Sequence, residues 1–194
     1  QITRYADDSI ATCRSRSEAT ALLKTAQRIL AKLGVTLHSG KTRIVNVRQG
    51  FDFLGFRIKC GSRPLKLAPE KIRSGVKAGA LYAYPRTKSI KHFMDQIRGR
   101  TRRTAPLTSR ELVDEINPVI RGWGNYYCKA HVRLLFNRLD RWIIRRLWSH
   151  RYKRWRCCGW KTMPAATLYS EMGLVNLVEL IPSLNLRQKR AFTK

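Results

Sequence analysis

Two adjacent carboxylates, Asp7 and Asp8, sit in the stretch Arg4-Tyr5-Ala6-Asp7-Asp8-Ser9. Neighbouring carboxylates repel each other, so a fold seldom joins them for stability alone. A divalent cation offsets that repulsion, and hard cations such as Mg²⁺ take oxygen ligands. Short apolar-rich runs flank the pair, with Ile2 and Tyr5 before it and Ile10 and Cys13 after it. The pattern predicts a β-hairpin with the carboxylates at its tip. A solvated turn is the plain alternative, because Asp is a common turn residue.

The elements that would hold this tip come next. Ala19, Leu22, Leu23, Ala26, Ile29, Leu30 and Leu33 recur at helical spacing, predicting an amphipathic helix over residues 15–34 that packs on a sheet. Ser15 and Glu18 have capping-box spacing, and Gly34 suits the stop. Residues 35–42 predict a short strand and a Gly turn carrying Lys41. His38 has no neighbour to orient it and is expected to be structural or exposed. Residues 43–47 and 51–59 predict two strands joined by Arg48-Gln49-Gly50, with a bulge where the apolar phase shifts at Gly55. Gly and Pro then punctuate the chain up to Pro85, as in a connecting segment.

Beyond it the periodicity is helical. Ile90, Phe93, Met94 and Ile97 form one face, and residues 98–103 make a basic loop. Thr108 and Glu111 have capping-box spacing ahead of Leu112, Ile116, Ile120 and Trp123. Pro118 lacks a backbone donor and is expected to kink or restart this helix. A last helix places Val132, Leu135, Leu139, Trp142, Ile143 and Leu147 inward and arginines outward.

Tyr5-Ala6-Asp7-Asp8 resembles the catalytic box of reverse transcriptases, above all those encoded by group II introns. The resemblance implies two-metal nucleotidyl transfer, in which Mg²⁺ ions clamp the attacking 3′-oxygen and the leaving pyrophosphate. Asp7 and Asp8 would be the metal ligands, Asp7 ahead of Asp8. Lys41 matches a lysine that borders the nucleotide site and would act as general acid toward pyrophosphate; a solvated turn lysine is the alternative. Phe53-Leu54-Gly55-Phe56 is similar to the primer grip, where a bent hairpin holds the primer's 3′ end, and its aromatics would pack in a core as well.

Asn117-Pro118-x-x-Arg121-Gly122-Trp123-x-Asn125-Tyr126-Tyr127, followed by Leu139-Asp140-x-Trp142-Ile143, resembles the group II intron maturase-specific domain, also called domain X or the thumb. The implied organisation is the end of a polymerase palm over residues 1–60, a connecting segment over 61–86, the maturase domain over 87–160, and a tail over 161–194 without assigned role. The expected fold class is α+β. The family also needs an aspartate on an upstream strand. The chain begins at Gln1, so it is expected to be the C-terminal part of a longer protein, inactive as a polymerase by itself.

Charge names the partner. Lys and Arg number 40 against 12 Asp and Glu, a net charge of +28, which strains a compact state unless a polyanion neutralises it. Nucleic acid is the obvious polyanion. Arg100, Arg102, Arg103, Arg121, Arg138, Arg141, Arg145, Arg146, Arg151, Lys153, Arg154 and Arg156 are the expected RNA contacts, with interleaved tryptophans able to stack on bases. An anionic membrane surface is the competing partner, but no apolar run nears the roughly 18 residues of a spanning helix. The 5 cysteines are scattered and imply neither a disulfide framework nor a zinc site, pointing to a reducing, intracellular setting; the resemblance implies bacterial cytoplasm or an organelle.

Two functions fit. The first is part of a reverse transcriptase and maturase that binds intron RNA, assists its splicing, and meets a DNA primer or target in the full-length protein. The second is an RNA-binding maturase module, or degenerate remnant, without polymerase activity.

Overall fold

The computed structural model describes residues 1–60, 81–153 and 159–182. The fold is α+β. Strands β1 (Ile2–Tyr5) and β2 (Asp8–Ala11) pair antiparallel from Ile2↔Ala11 to Tyr5↔Asp8, leaving Ala6-Asp7 as a two-residue turn. Helix α1 (Arg16–Lys32) follows, its N-cap Ser15 accepting from the Glu18 amide at 3.1 Å. Gly34 takes φ +71° just past its end, as a helix stop requires. The expected packing of this helix is not found. None of its residues is buried, and Ile29 and Leu33 are 53% and 71% exposed.

Residues 35–47 form no strand, against both strands expected there. Turns hold this stretch instead: Lys41 and Thr42 donate to the His38 carbonyl, and Gln49 to that of Asn46. The hairpin lies one step later. Strands β3 (Phe51–Phe53), β4 (Phe56–Cys60) and β5 (Leu81–Pro85) form an antiparallel sheet in that order. The apolar phase shift comes from a two-residue turn and not from a bulge. Phe53 pairs with Phe56, and Leu54 and Gly55 take φ +47° and +79°. Positive φ at both central residues is the type I′ geometry that matches strand twist.

Helix α2 (Thr87–Arg100) is longer than its apolar face suggests and absorbs part of the expected basic loop. Helix α3 (Ser109–Tyr127) carries the complete Thr108–Glu111 capping box and runs unbroken through Pro118. An interior proline costs about 3 kcal/mol. Burying Leu112, Val113, Ile116, Ile120 and Tyr127 outweighs it, at about 1.5–3 kcal/mol per large side chain. Helix α4 (Arg133–Tyr152) packs against α3, a 3₁₀ turn (Val178–Leu180) closes over both, and α5 (Ala165–Ser170) adds Leu168 to the same core.

The core therefore lies in the helical part and extends past residue 160. Met163, Leu168, Leu174 and Leu177 are buried in one cluster with Phe93, Ile116, Phe136 and Leu147. Three polar features draw the later segment in. Asn117 donates to the Gly173 carbonyl and accepts from the Val175 amide. The buried Asp140 carboxylate accepts from the amides of Leu177 and Val178. Gly124 leaves room where a Cβ would meet Leu180 at 2.5 Å and Leu177 at 2.8 Å.

Candidate functional site

The carboxylate tip is open. Asp7 occupies the turn and Asp8 begins β2, and both are exposed. Ala6 holds φ +49°, a left-handed value that costs a non-glycine residue roughly 1–2 kcal/mol. The Arg4 guanidinium donates to its carbonyl at 2.9 Å. Strained backbone of this kind gathers at functional sites. Two exposed carboxylates are suitable oxygen donors for a hard cation, with room for water and phosphate oxygens. Among the described residues no group of three or more His, Cys, Asp and Glu forms a larger metal cluster. Asp52 is engaged elsewhere, 3.1 Å from Arg57 across β3 and β4. Lys41 is exposed in the turn after α1, where His38 is exposed too and caps the Gly40 amide through Nδ1.

The Leu54–Gly55 turn is gripped from the helical side. Tyr126 donates to the Leu54 carbonyl at 2.8 Å and Tyr127 to the Gly55 carbonyl at 3.2 Å. The Gly55 carbonyl also accepts from the Arg86 amide. Phe56 stacks on Tyr126 and meets the edge of Tyr127 at 4.8 Å. Ser89 ties the Tyr127 hydroxyl to the Trp123 indole N–H. A Cβ on Gly55 would stand 2.7 Å from the Tyr127 hydroxyl. Burial raises the Tyr126 pKa, followed by the neighbouring Tyr127 and then Tyr5, so β1 of the carboxylate hairpin lies within electrostatic reach of the same tyrosine.

The cationic residues divide. Arg102, Arg121, Arg138, Arg141, Arg145, Arg151 and Lys153 are exposed, and Arg138, Arg141 and Arg145 follow one face of α4. Arg100 and Arg103 are half-buried; Arg100 donates to the Gln96 carbonyl and Arg103 to the Ser149 hydroxyl. Arg146 does not belong with the surface set. It is 9% exposed and donates to the Thr101 hydroxyl, the Thr101 carbonyl and the Arg98 carbonyl. Burial depresses its pKa, and Arg98 and Arg103 add to that. Its position alternates inward on α4, and its guanidinium fastens the α2–α3 connection. Arg154 and Arg156, with Trp155, lie outside the described residues. Trp148 donates to the Met163 carbonyl as part of the packing, whereas Trp160 is 57% exposed.

Residues 1–58 match the family described as reverse transcriptase (RNA-dependent DNA polymerase). Residues 90–165 match the group II intron, maturase-specific domain. The chain belongs to the group II intron reverse transcriptase and maturase family. No curated protein matches it. The carboxylate hairpin and the Leu54–Gly55 turn both fall in the reverse transcriptase part, and the tyrosines that hold the turn fall in the maturase part. Reverse transcriptase domains use divalent metal, and the donor set at Asp7 and Asp8 suits it.

Several residues of the maturase motif turn out to be architectural. Asn117, Gly124 and Asp140 receive the segment 173–180, Tyr126 and Tyr127 receive the β3–β4 turn, and Trp123 donates to Ser89 of α2. The sequence motif names Asn117, Trp123, Tyr126, Tyr127 and Asp140 without partners and leaves Gly124 as an unspecified position. Their partners are 34 to 72 residues away, beyond the reach of periodicity. No helix among the described residues is long and apolar enough to cross a membrane.

Proposed function

We propose that this chain contributes the metal-holding carboxylates and the primer-holding turn of RNA-directed DNA synthesis, and that its helical part binds intron RNA and assists splicing. Residues 1–60 are taken as the end of the palm, 61–86 as the connecting segment and 87–160 as the maturase segment, and Met163, Leu168, Leu174 and Leu177 of the tail share the helical core. The observation that carries the reading is the double grip of Tyr126 and Tyr127 on the Leu54–Gly55 turn. It gives the maturase part a direct hold on the segment that resembles a primer grip.

Asp7, ahead of Asp8, would hold Mg²⁺, which supplies charge stabilisation to the attacking and leaving oxygens. The chain's own residues do the remaining work. Phe53, Leu54 and Gly55 offer a rigid, backbone-lined turn against a primer terminus. Lys41 stands exposed and able to deliver a proton to pyrophosphate. Arg102, Arg121, Arg138, Arg141, Arg145, Arg151 and Lys153 face phosphate, with Arg100 and Arg103 beside them and Arg154 and Arg156 completing the set. Even if every acid in the chain paired with a base, 28 cationic side chains would be left over.

Binding of structured RNA over a salt series tests this. Log affinity is expected to fall linearly with log salt, steeply, because each neutralised phosphate contributes roughly 0.7–0.9 to the slope. Replacing Arg138, Arg141 and Arg145 together with Ala should lower the slope by about 2–3, and Asp7→Ala should leave it unchanged. A flat salt response, or loss of binding in Asp7→Ala alone, overturns the assignment of surfaces.

A further inference from the structure

The sheet β3–β4–β5 has two chemically distinct faces. The register Phe53↔Phe56↔Pro85 and Phe51↔Ile58↔Ala83 puts the apolar residues on one face, where Phe56 packs on Tyr126 and Tyr127. The register Asp52↔Arg57↔Tyr84 and Lys59↔Tyr82 puts one carboxylate, two cations and two tyrosines on the other, with Arg57 paired to Asp52 at 3.1 Å and Lys59 in no such pair among the described residues. On that second face the rings of Tyr82 and Tyr84 lie 10° from parallel with centroids 6.3 Å apart. The exposed His131 ring stands 4.8 Å from Tyr82 and 5.7 Å from Tyr84.

The arrangement is well supported. Among the described residues β5 is one of the two edge strands, and its outer side is closed at Ala83, whose amide donates to His131 Nδ1 and whose carbonyl accepts from the His131 amide. An edge capped in this way is not free to add another strand at that point. What remains on offer is the face itself. Tyr82, Tyr84, Arg57 and Lys59 are each half-buried and not enclosed. Tyr82 and Tyr84 are followed at once by Pro85 and Arg86, which lead to the Gly55 carbonyl of the turn. A platform here is thus continuous with the segment that resembles a primer grip.

We propose that the Tyr82–Tyr84 face is a stacking platform for unpaired bases of single-stranded nucleic acid, with Arg57 and Lys59 beside the phosphates. Parallel aromatic rings on a sheet, flanked by cations one strand away, suit this ligand for a stated reason. Every base has a π-face, so stacking tolerates sequence, while the cations follow the backbone. The +28 net charge favours an anionic partner over an apolar protein surface, and the near-parallel rings suit bases better than an acidic protein surface. The proposal deepens the nucleic-acid reading above but does not depend on the arginines of α4. Stacking is largely independent of salt, and phosphate contact is not.

The test uses the full chain and two ten-nucleotide single-stranded RNAs of equal charge, one of uridines and one with abasic sites throughout its centre. The wild type is expected to bind the uridine strand more tightly than the abasic one. Tyr82→Leu and Tyr84→Leu keep apolar bulk on the sheet and are each expected to weaken the uridine strand by about 5- to 100-fold, the range of one lost base stack. Neither should change the abasic strand or the salt slope. Tyr82→Phe and Tyr84→Phe keep the ring and should retain the preference. Equal loss on both strands, or no loss in the Leu variants with the Phe variants folded, overturns the platform while leaving the phosphate-binding surface standing. No binding of either strand at low salt overturns both.

Discussion

Asp140 and Arg146 sit on one helix, both buried, and do opposite things with charge. Asp140 is pushed up to about 6, chiefly by burial, with Glu179 adding to the rise and the amide bonds from Leu177 and Val178 opposing it. Between about pH 4 and 6 the folded chain therefore keeps a proton that the unfolded chain has released, so this group's contribution falls as pH rises through that window and is level above it. The stability of wild type relative to Asp140→Asn, measured by denaturant unfolding at several pH values, should decline from pH 4 to 6 and then hold constant. A difference that rises over the window contradicts the direction. Arg146→Ala should cost about 1.5–3 kcal/mol, the worth of hydrogen bonds from a buried charged donor, without altering the salt slope for RNA. Arg141→Ala, on the exposed face, should stay within about 0.5 kcal/mol and lower the slope instead. Reversed outcomes would return Arg146 to the surface set.

At the scale of elements, α3 is the hub. Its first turn is fixed by the Thr108–Glu111 box, and those hydrogen bonds lower the Glu111 pKa. Its last two turns receive the 3₁₀ segment on one side and the β3–β4 turn on the other. Gly124→Ala separates two effects. Helix propensity alone favours alanine by about 1 kcal/mol. The new Cβ would stand 2.5 Å from Leu180 and 2.8 Å from Leu177, and overpacking of that kind costs about 1–3 kcal/mol. Net destabilisation is expected, with faster amide exchange around Leu177 and Val178. Stabilisation would mean that the segment is not seated on α3 in solution. The Ser15 cap, the Thr108–Glu111 box, the stop at Gly34 and the inward faces of α3 and α4 were legible from local spacing, although Glu18 closes on the Arg14 amide instead of completing a box with Ser15. The strands expected at residues 35–47 were not, because an apolar stretch of four or five residues fits a strand and a turn-bound loop equally well. The β3–β4 hairpin was displaced by one element for a related reason: Leu54 is an unusual residue for a left-handed turn, and the Tyr126 and Tyr127 hydroxyls that hold the turn come from 72 residues away.

For the whole molecule, the decisive quantity is the number of carboxylates that can reach a metal pair. Two-metal transfer places ions about 3.5–4 Å apart, and Asp7 and Asp8, adjacent on one hairpin, cannot enclose both. The 194-residue chain is therefore expected to show no primer extension on an RNA template with Mg²⁺, and to show it when joined to a palm segment supplying a further aspartate strand. Asp7→Ala should then abolish it. Extension by the chain alone, lost in Asp7→Ala, would refute this count.

The sequence by itself determined what short-range chemistry can specify. A paired-carboxylate hairpin, a capped helix, a Thr-Glu box and a surplus of arginine are each written within a few residues, and together with the motifs they place the chain in its family. Tertiary structure decided which of those residues face solvent and which face each other. It turned Arg146 inward and seated Met163, Leu168, Leu174 and Leu177 in the core. It also brought Tyr126 and Tyr127 onto a turn 72 residues earlier and aligned Tyr82 and Tyr84 on a sheet face. Each of these depends on contacts between distant segments, whose register is fixed by packing and by the need to satisfy buried polar groups, and no local pattern encodes that.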